Sequence, residues 1–308
     1  MRRRGSRYLY RRRRGPRTAV ILAAIALVAV LGVAAAVMAH STTSGNAQTI
    51  TSHAGPTAPG ARAARHRNAR AVRIRASSRT LGRESAQINA TLRYTPFVAA
   101  GSGRRRAMAL TFDDGPSPYT TAIVHILVRM HVPATFFVVG QQLPVFPDAF
   151  RDELKHGFEI GDHTENHAWL VRLSAGGQYG QIHADAVAAE RLGAPPPRLF
   201  RPPYGAYDRV TIAILHRLRM LMVLWSIDPD DWLRPGAKAI VARVLSHARP
   251  GRIVILHDGG GDRSQTVAAL PAIVRGLRRR GYRLVSVPAL IALDPPPRHQ
   301  QLPRVGVA

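Results

Sequence analysis

Seven short runs of the chain, at 107–112, 134–139, 157–161, 198–201, 220–226, 252–256 and 282–285, are mostly apolar and do not alternate between apolar and polar residues. A strand wetted on one face alternates; a strand covered on both faces does not, and that is the pattern of a parallel sheet wrapped by helices. Between the runs lie stretches with a helical period, at 119–131, 147–156, 178–192, 207–218, 237–248 and 264–280. The alternation predicts an α/β fold, and the number of repeats predicts a distorted (β/α)7-8 barrel, with a doubly wound open sheet as the competing architecture. In a barrel the C-terminal ends of the strands gather at one mouth.

The chain before these repeats has a different composition. Residues 1–106 hold 21 of the 44 Lys and Arg and a single acid, Glu84. Nine arginines crowd residues 1–17, and Ala19 to Ala39 is an unbroken run of 21 apolar or small residues. That run is long enough to cross a bilayer as a helix, and the preceding charge predicts a cytoplasmic N-terminus. The segments expected are therefore a basic cytoplasmic piece (1–18), a transmembrane signal-anchor (19–39), a disordered basic linker (40–103), a folded α/β domain (104–290) and a Pro-rich tail (291–308). Small residues at Val37 to Ala39 leave open a cleaved signal peptide and a secreted product. Either way the domain is expected outside the cytoplasm, at the cell membrane in the anchored case. The basic arm could meet nucleic acid, anionic lipid or an acidic wall polymer, but no nucleic-acid motif accompanies it, so a membrane partner is expected and nucleic acid is not. A monomer is expected. Cysteine is absent, which excludes disulfides, thiolate zinc sites and a Cys nucleophile.

Polar residues rare in cores follow five of the apolar runs. Asp113 and Asp114 follow the first, the stretch Asp162 to His167 the third, Arg201 to Gly205 the fourth, Asp228 to Trp232 the fifth, and His257 with Asp258 the sixth. Collected at one mouth they would form a site. Asp113 and Asp114 stand before Gly115-Pro116, and a turn there frees two adjacent carboxylates from pointing to opposite faces. His163 and His167 are four apart, so one helical turn would aim both imidazoles at a single ion. Two His and one carboxylate bind a divalent metal and leave positions open; of the two aspartates, one could bind and the other take a proton from water. Gly-x-Ser-x-Gly is absent, which argues against a serine hydrolase.

The set TFDDGP, HTENH, RPPYG, DPDDW and ILHD, in this order over residues 111–258, resembles the polysaccharide deacetylase family, also called the NodB-homology or carbohydrate esterase family four domain. The resemblance covers roughly residues 104–290 and does not reach the basic arm. It implies a hydrolase that removes N-acetyl groups from N-acetylglucosamine-containing polysaccharide such as peptidoglycan, or O-acetyl groups from a polymer such as acetylxylan; a non-catalytic carbohydrate-binding version of the fold is the further alternative. It implies Asp113 as catalytic base, Asp114, His163 and His167 as ligands of a divalent metal (zinc, cobalt or another), and His257 as general acid. Arg201 would orient the base and Asp231 support the acid. The Tyr204 N–H would hold the oxyanion, Trp232 would wall the groove, and Ile255 would line the acetyl pocket.

Overall fold

The computed structural model describes Gly82 and residues 85–300. The expected cytoplasmic segment, the apolar run 19–39 and most of the linker lie outside the described residues. Among the described residues no helix is long and apolar enough to cross a membrane.

Eight strands form one sheet: β1 (Phe97–Val98), β2 (Ala107–Asp113), β3 (Thr135–Val138), β4 (Glu159–Asp162), β5 (Leu199–Phe200), β6 (Leu221–Val223), β7 (Ile253–His257) and β8 (Arg283–Val285). Around them run α1 (85–92), α2 (Thr120–Arg129), α3 (Pro147–Lys155), α4 (Ala175–Arg191), α5 (Arg209–Leu218), α6 (Ala237–His247), α7 (Ser264–Arg279) and α8 (Val287–Leu293). Every ladder between named strands is parallel, in the order β1-β6-β5-β4-β3-β2-β7. All seven predicted strands are present.

The sheet curls on itself. Past the end of β6, the Ser226 and Ile227 N–H groups donate to Ile253 O at 3.0 and 3.1 Å, and Ile255 N donates to Ile227 O at 3.0 Å. The ring is thus joined only through isolated bridges, Ile227 with Val254 and Ala100 with Arg252, where a regular barrel would have a ladder. β8 pairs with 107–109 of β2 and β3 with 111–113, so β8 is wedged in at the base only. These irregularities distort the barrel.

Alternation along β2 divides its side chains between two environments. Met108, Leu110 and Phe112 pack outward with Ile123, Leu127 and Ile273 under α2 and α7. Ala107 and Ala109 face the interior beside Phe137, Leu199, Leu221 and Ile253. Continuing the count inward gives Thr111 and Asp113. The same parity on β7 sends Val254 and Leu256 outward and Ile253, Ile255 and His257 inward. One face of two parallel strands therefore aims the base candidate and the acid candidate into one space.

The folded unit is larger than the expected 104–290. Residues 85–103 are not linker: Ile88 of α1 and Phe97 of β1 are 1% and 6% exposed within the core. Nor does the tail begin at 291. Ile291 is buried in α8, and the Asp294 carboxylate accepts from Ser102 Oγ, Gly103 N and Arg104 N at 2.5, 2.9 and 3.1 Å, tying the two ends of the unit together. A two-residue strand and single apolar anchors carry too little periodicity to be seen in the sequence.

Candidate metal centre and active site

Asp113 closes β2 in extended backbone, whereas Asp114 turns out of the strand with φ 72° before a cis Gly115–Pro116 bond. The turn swings the second carboxylate back toward the mouth. Asp114 Oδ1 then lies 3.4 Å from His163 Nε2 and 3.2 Å from His167 Nε2. The helical turn expected at His163–His167 does not form. His163 leaves the end of β4, and left-handed residues at Thr164 (φ 70°) and His167 (φ 57°) fold an irregular loop that brings the rings to 5.0 Å. The pairing holds, but a loop produces it.

These donors fit a metal ion. One ligand atom from each of Asp114, His163 and His167 lies within 4.8 Å of the others. Asp114 Oδ1 is buried and accepts no hydrogen bond, a costly arrangement unless a cation faces it. The Nδ1 of His163 is 2.6 Å from Arg201 O, so it donates there and leaves Nε2 as the free lone pair. Charge agrees. Burial pushes Asp114 up, but the adjoining His163 imidazole, with His257 and His167 beyond it, outweighs burial and holds the carboxyl well below its usual range. Burial and the neighbouring His163 lower His167 to about 4, so its ring is neutral and able to ligate at neutral pH. Burial also lowers His163, yet the Asp113 and Asp114 charges pull it upward; this corner of the mouth calls for positive charge.

Asp113 belongs to a second set of contacts. Its Oδ1 accepts from Arg201 Nη1 at 2.6 Å, and the same nitrogen reaches Thr111 Oγ1 at 2.7 Å. Arg201 is fully buried, donates Nε to Val223 O at 3.1 Å, and lies 4.1 Å over the Phe137 ring. Its carboxylate partner is Asp113. Across the β2–β7 register from Asp113 stands His257, whose Nδ1 is 2.7 Å from Asp231 Oδ1. Asp231 Oδ2 accepts from His257 N at 2.9 Å and from Thr266 Oγ1 at 2.7 Å, which fixes both the carboxylate and the ring. Burial lowers His257, but the Asp231 hydrogen bond and charge, with Asp114 and Asp113 behind them, raise it to about 9.

At the rim, Trp232 is 50% exposed and Tyr204 53%, so neither is spent on core packing. Tyr204 has φ 59° and sets its ring 4.6 Å from that of His167. Ile255 lies two residues below His257 on the same face of β7 and is 4% exposed. All ten predicted site residues therefore come from the mouth side of the barrel or the layer just beneath it.

The chain matches the family model for polysaccharide deacetylase over residues 100–223. It is 38% identical over 202 residues to the chitooligosaccharide deacetylase of Bradyrhizobium sp., covering 60% of this chain and 90% of that one. It is 39% identical over 192 residues to a peptidoglycan-N-acetylglucosamine deacetylase of Bacillus cereus, covering 60% and 88%. The chain belongs to the polysaccharide deacetylase family. A crystal structure of a peptidoglycan N-acetylglucosamine deacetylase in complex with an N-hydroxybenzamide superposes on this deacetylase with a TM-score of 0.62 at 30% identity, covering 63% of this chain and 92% of that one.

Three supports of the deacetylase site have a role that the sequence does not reveal. Asp162 Oδ1 accepts from Thr164 N at 2.9 Å, and Asp185 Oδ2, from α4, accepts from His163 N at 2.8 Å. Both carboxyls are fully buried and pushed up by burial, Asp162 to about 7, as expected of neighbouring acids that share a proton. The third is Gly259–Gly260, which reads as a flexible loop but is packed: a Cβ at Gly259 would meet Asp114 O at 2.0 Å, and one at Gly260 would meet Asp114 Oδ2 at 2.4 Å. Only glycine lets this backbone close over the ligand. A GGG run beside a histidine is the visible trace; for Asp185 the sole clue is an acid on the buried face of a predicted helix.

Proposed function

We propose that this deacetylase is a metal-dependent hydrolase that removes N-acetyl groups from N-acetylglucosamine units of peptidoglycan. The observation that carries the reading is the partnerless Asp114 Oδ1 facing two imidazole nitrogens, in the same mouth as an arginine-held aspartate and an aspartate-held histidine. A divalent cation held by Asp114, His163 and His167, zinc foremost, would supply Lewis acidity, polarising the amide carbonyl and making water more acidic.

The chain's own residues do the rest. Asp113 takes the proton of the attacking water, with its carboxylate held in register by Arg201 and free of ligation. The Tyr204 N–H, on a left-handed residue beside His167, serves the oxyanion. An amine leaves only when protonated. His257, raised to about 9 by Asp231, carries that proton at neutral pH and delivers it to the nitrogen. Ile255 walls the small apolar space for the acetyl methyl, and Trp232 offers a flat face to the sugar. The apolar run at 19–39 behind nine arginines supports a single-pass anchor that holds the domain near the wall.

Acetate release from peptidoglycan, chitin oligomers and acetylxylan, each with and without a chelator, tests the reading. Release from the N-acetylated polymers, peptidoglycan foremost, abolished by chelator and restored by Zn2+, is expected. Release from acetylxylan alone would make the protein an ester hydrolase, and release indifferent to chelator would remove the metal from the scheme.

A further inference from the structure

Charge in the folded unit is sorted by pole. The seven connections that lead into β2 to β8, residues 101–106, 129–134, 155–158, 191–198, 217–220, 248–252 and 278–282, hold fourteen Lys and Arg and no Asp or Glu. The loops that leave the strands at the mouth carry the opposite excess, among them Asp113, Asp114, Asp162, Asp228, Asp231 and Asp258. Twelve of the fourteen basic residues are exposed; Arg198 and Arg252 are half-buried. None of the fourteen forms an ion pair among the described residues.

Helix C-termini favour basic residues, and all the crossover helices end at this pole. That accounts for Arg129, Lys155, Arg217 and Arg278. It does not account for Arg104 and Arg105, which follow no helix, or for Arg252, which lies beyond the end of α6; Arg106, by contrast, donates to Arg280 O at the end of α7, and Arg219 caps α5. So many like charges repel one another and weaken the fold unless something outside neutralises them.

We propose that this pole is a docking surface for an anionic lipid bilayer, which turns the mouth away from the membrane and toward the wall. Two features favour a bilayer over a polyanionic chain. The charges come from all seven connections and so circle the whole end of the barrel, matching a plane; a polymer would need a groove to follow. Secondly, the chain reaches the fold at this end: Ser85 and Ile88 of α1 line a cavity of about 850 Å3 together with Arg198, Arg278, Arg283 and a single acid, Glu159. Upstream from there run the eight arginines between Arg62 and Arg83 and then the apolar residues 19–39. Juxtamembrane basic clusters of this kind gain attraction with each added Lys or Arg, and lose it within a Debye length of the surface. The inference is independent of the chemistry proposed at the mouth.

Because the chain has no cysteine, single labels can be placed cleanly on the full-length protein. Pro195→Cys marks the basic pole and Gln141→Cys the mouth; both positions are exposed. Each labelled protein is bound to vesicles of phosphatidylglycerol or of phosphatidylcholine that carry a quencher on the headgroup. On the anionic vesicles the Pro195 label is expected to be quenched about threefold more than the Gln141 label, since β2 alone separates the two ends by roughly 20 Å. That difference should vanish on neutral vesicles and at high salt, and shrink in the variant Arg104→Gln/Arg105→Gln/Arg191→Gln/Arg279→Gln, whose acetate release should stay at the wild-type value. Equal quenching of the two labels on anionic vesicles would overturn the proposal. So would a difference that persists on neutral vesicles, and so would a pole that stays unquenched while soluble polyphosphate retains the protein, which would assign the surface to a polymer. Failure of the apolar run as an anchor would show separately, as loss of binding to neutral vesicles.

Discussion

The two histidine sites at the mouth are built in opposite ways. His257 ends a regular strand, its position set by five successive register pairs between β2 and β7, and one carboxylate outside the sheet finishes its orientation. His163 and His167 stand on an irregular loop with two left-handed residues, and the buried acids Asp162 and Asp185 must hold that loop from behind. A sheet supplies geometry through backbone pairing that the fold already needs. A loop has to be fixed by dedicated polar contacts, each a place where a single change loosens the site.

Substitutions at the two sites should therefore fail differently. The largest effect is expected at the base between them: Asp113→Asn should lower kcat by about 1,000-fold while leaving bound metal at the wild-type stoichiometry, because Asp113 touches Arg201 and is not the ligand. Unchanged acetate release would remove it from the reaction, and lost metal would merge the two carboxylates into one role. Next is His163→Ala, which should weaken metal binding by more than about 100-fold, since loss of an outer support alone costs 10- to 100-fold. Equilibrium dialysis with metal analysis reads it directly. Undiminished metal content would mean that the loop does not hold the ion.

These expectations were legible in the sequence to unequal degrees, and the same difference explains why. The strand ends that carry Asp113, Arg201 and His257 could be placed because apolar runs of four to seven residues announce them. The His163–His167 pair was also found, but for a wrong reason: a spacing of four fits a helical turn, and nothing local to HTENH reveals the positive φ at Thr164 and His167 that produces the contact instead. Asp185 lies 22 residues beyond His163, on the buried face of α4, and long-range support of that kind leaves no local pattern. β1 follows the same rule: it is two residues long, and it is a strand only because β6 offers it a free edge.

The strand-borne site should show its dependence in pH rather than in metal. His257 is raised, so it is protonated below about 9, and turnover that needs its proton should be flat through neutrality and fall as pH rises through that value. Asp231→Asn removes the first of the raising causes and leaves burial, which lowers, so the alkaline limb of kcat/KM should move toward pH 7, with a rate loss at pH 7 of about 100-fold. Metal content should not change. A limb that stays in place would mean that Asp231 only packs against Thr266, and a limb that moves upward would reverse the assigned sign.

The smallest effect is the most discriminating for the loop. Asp162 and Asp185 are buried neighbours that burial pushes up, so the pair holds one proton between them while each accepts from the loop backbone. Asparagine at 185 can keep the acceptor for His163 N–H, and its amide hydrogens replace the shared proton. Asp185→Asn should thus leave metal affinity within about twofold of wild type, whereas Asp185→Ala, which leaves both Asp162 and the His163 N–H short of a partner, should weaken it by about 10-fold. Competition against a chromophoric chelator resolves that gap. If the two variants bind metal equally well, the loop needs no support from α4, and the contrast between a self-sufficient strand and a propped loop disappears. If they are equally weak, the pair is a true carboxylate couple whose negative charge, and not its shared proton, steadies the two histidines.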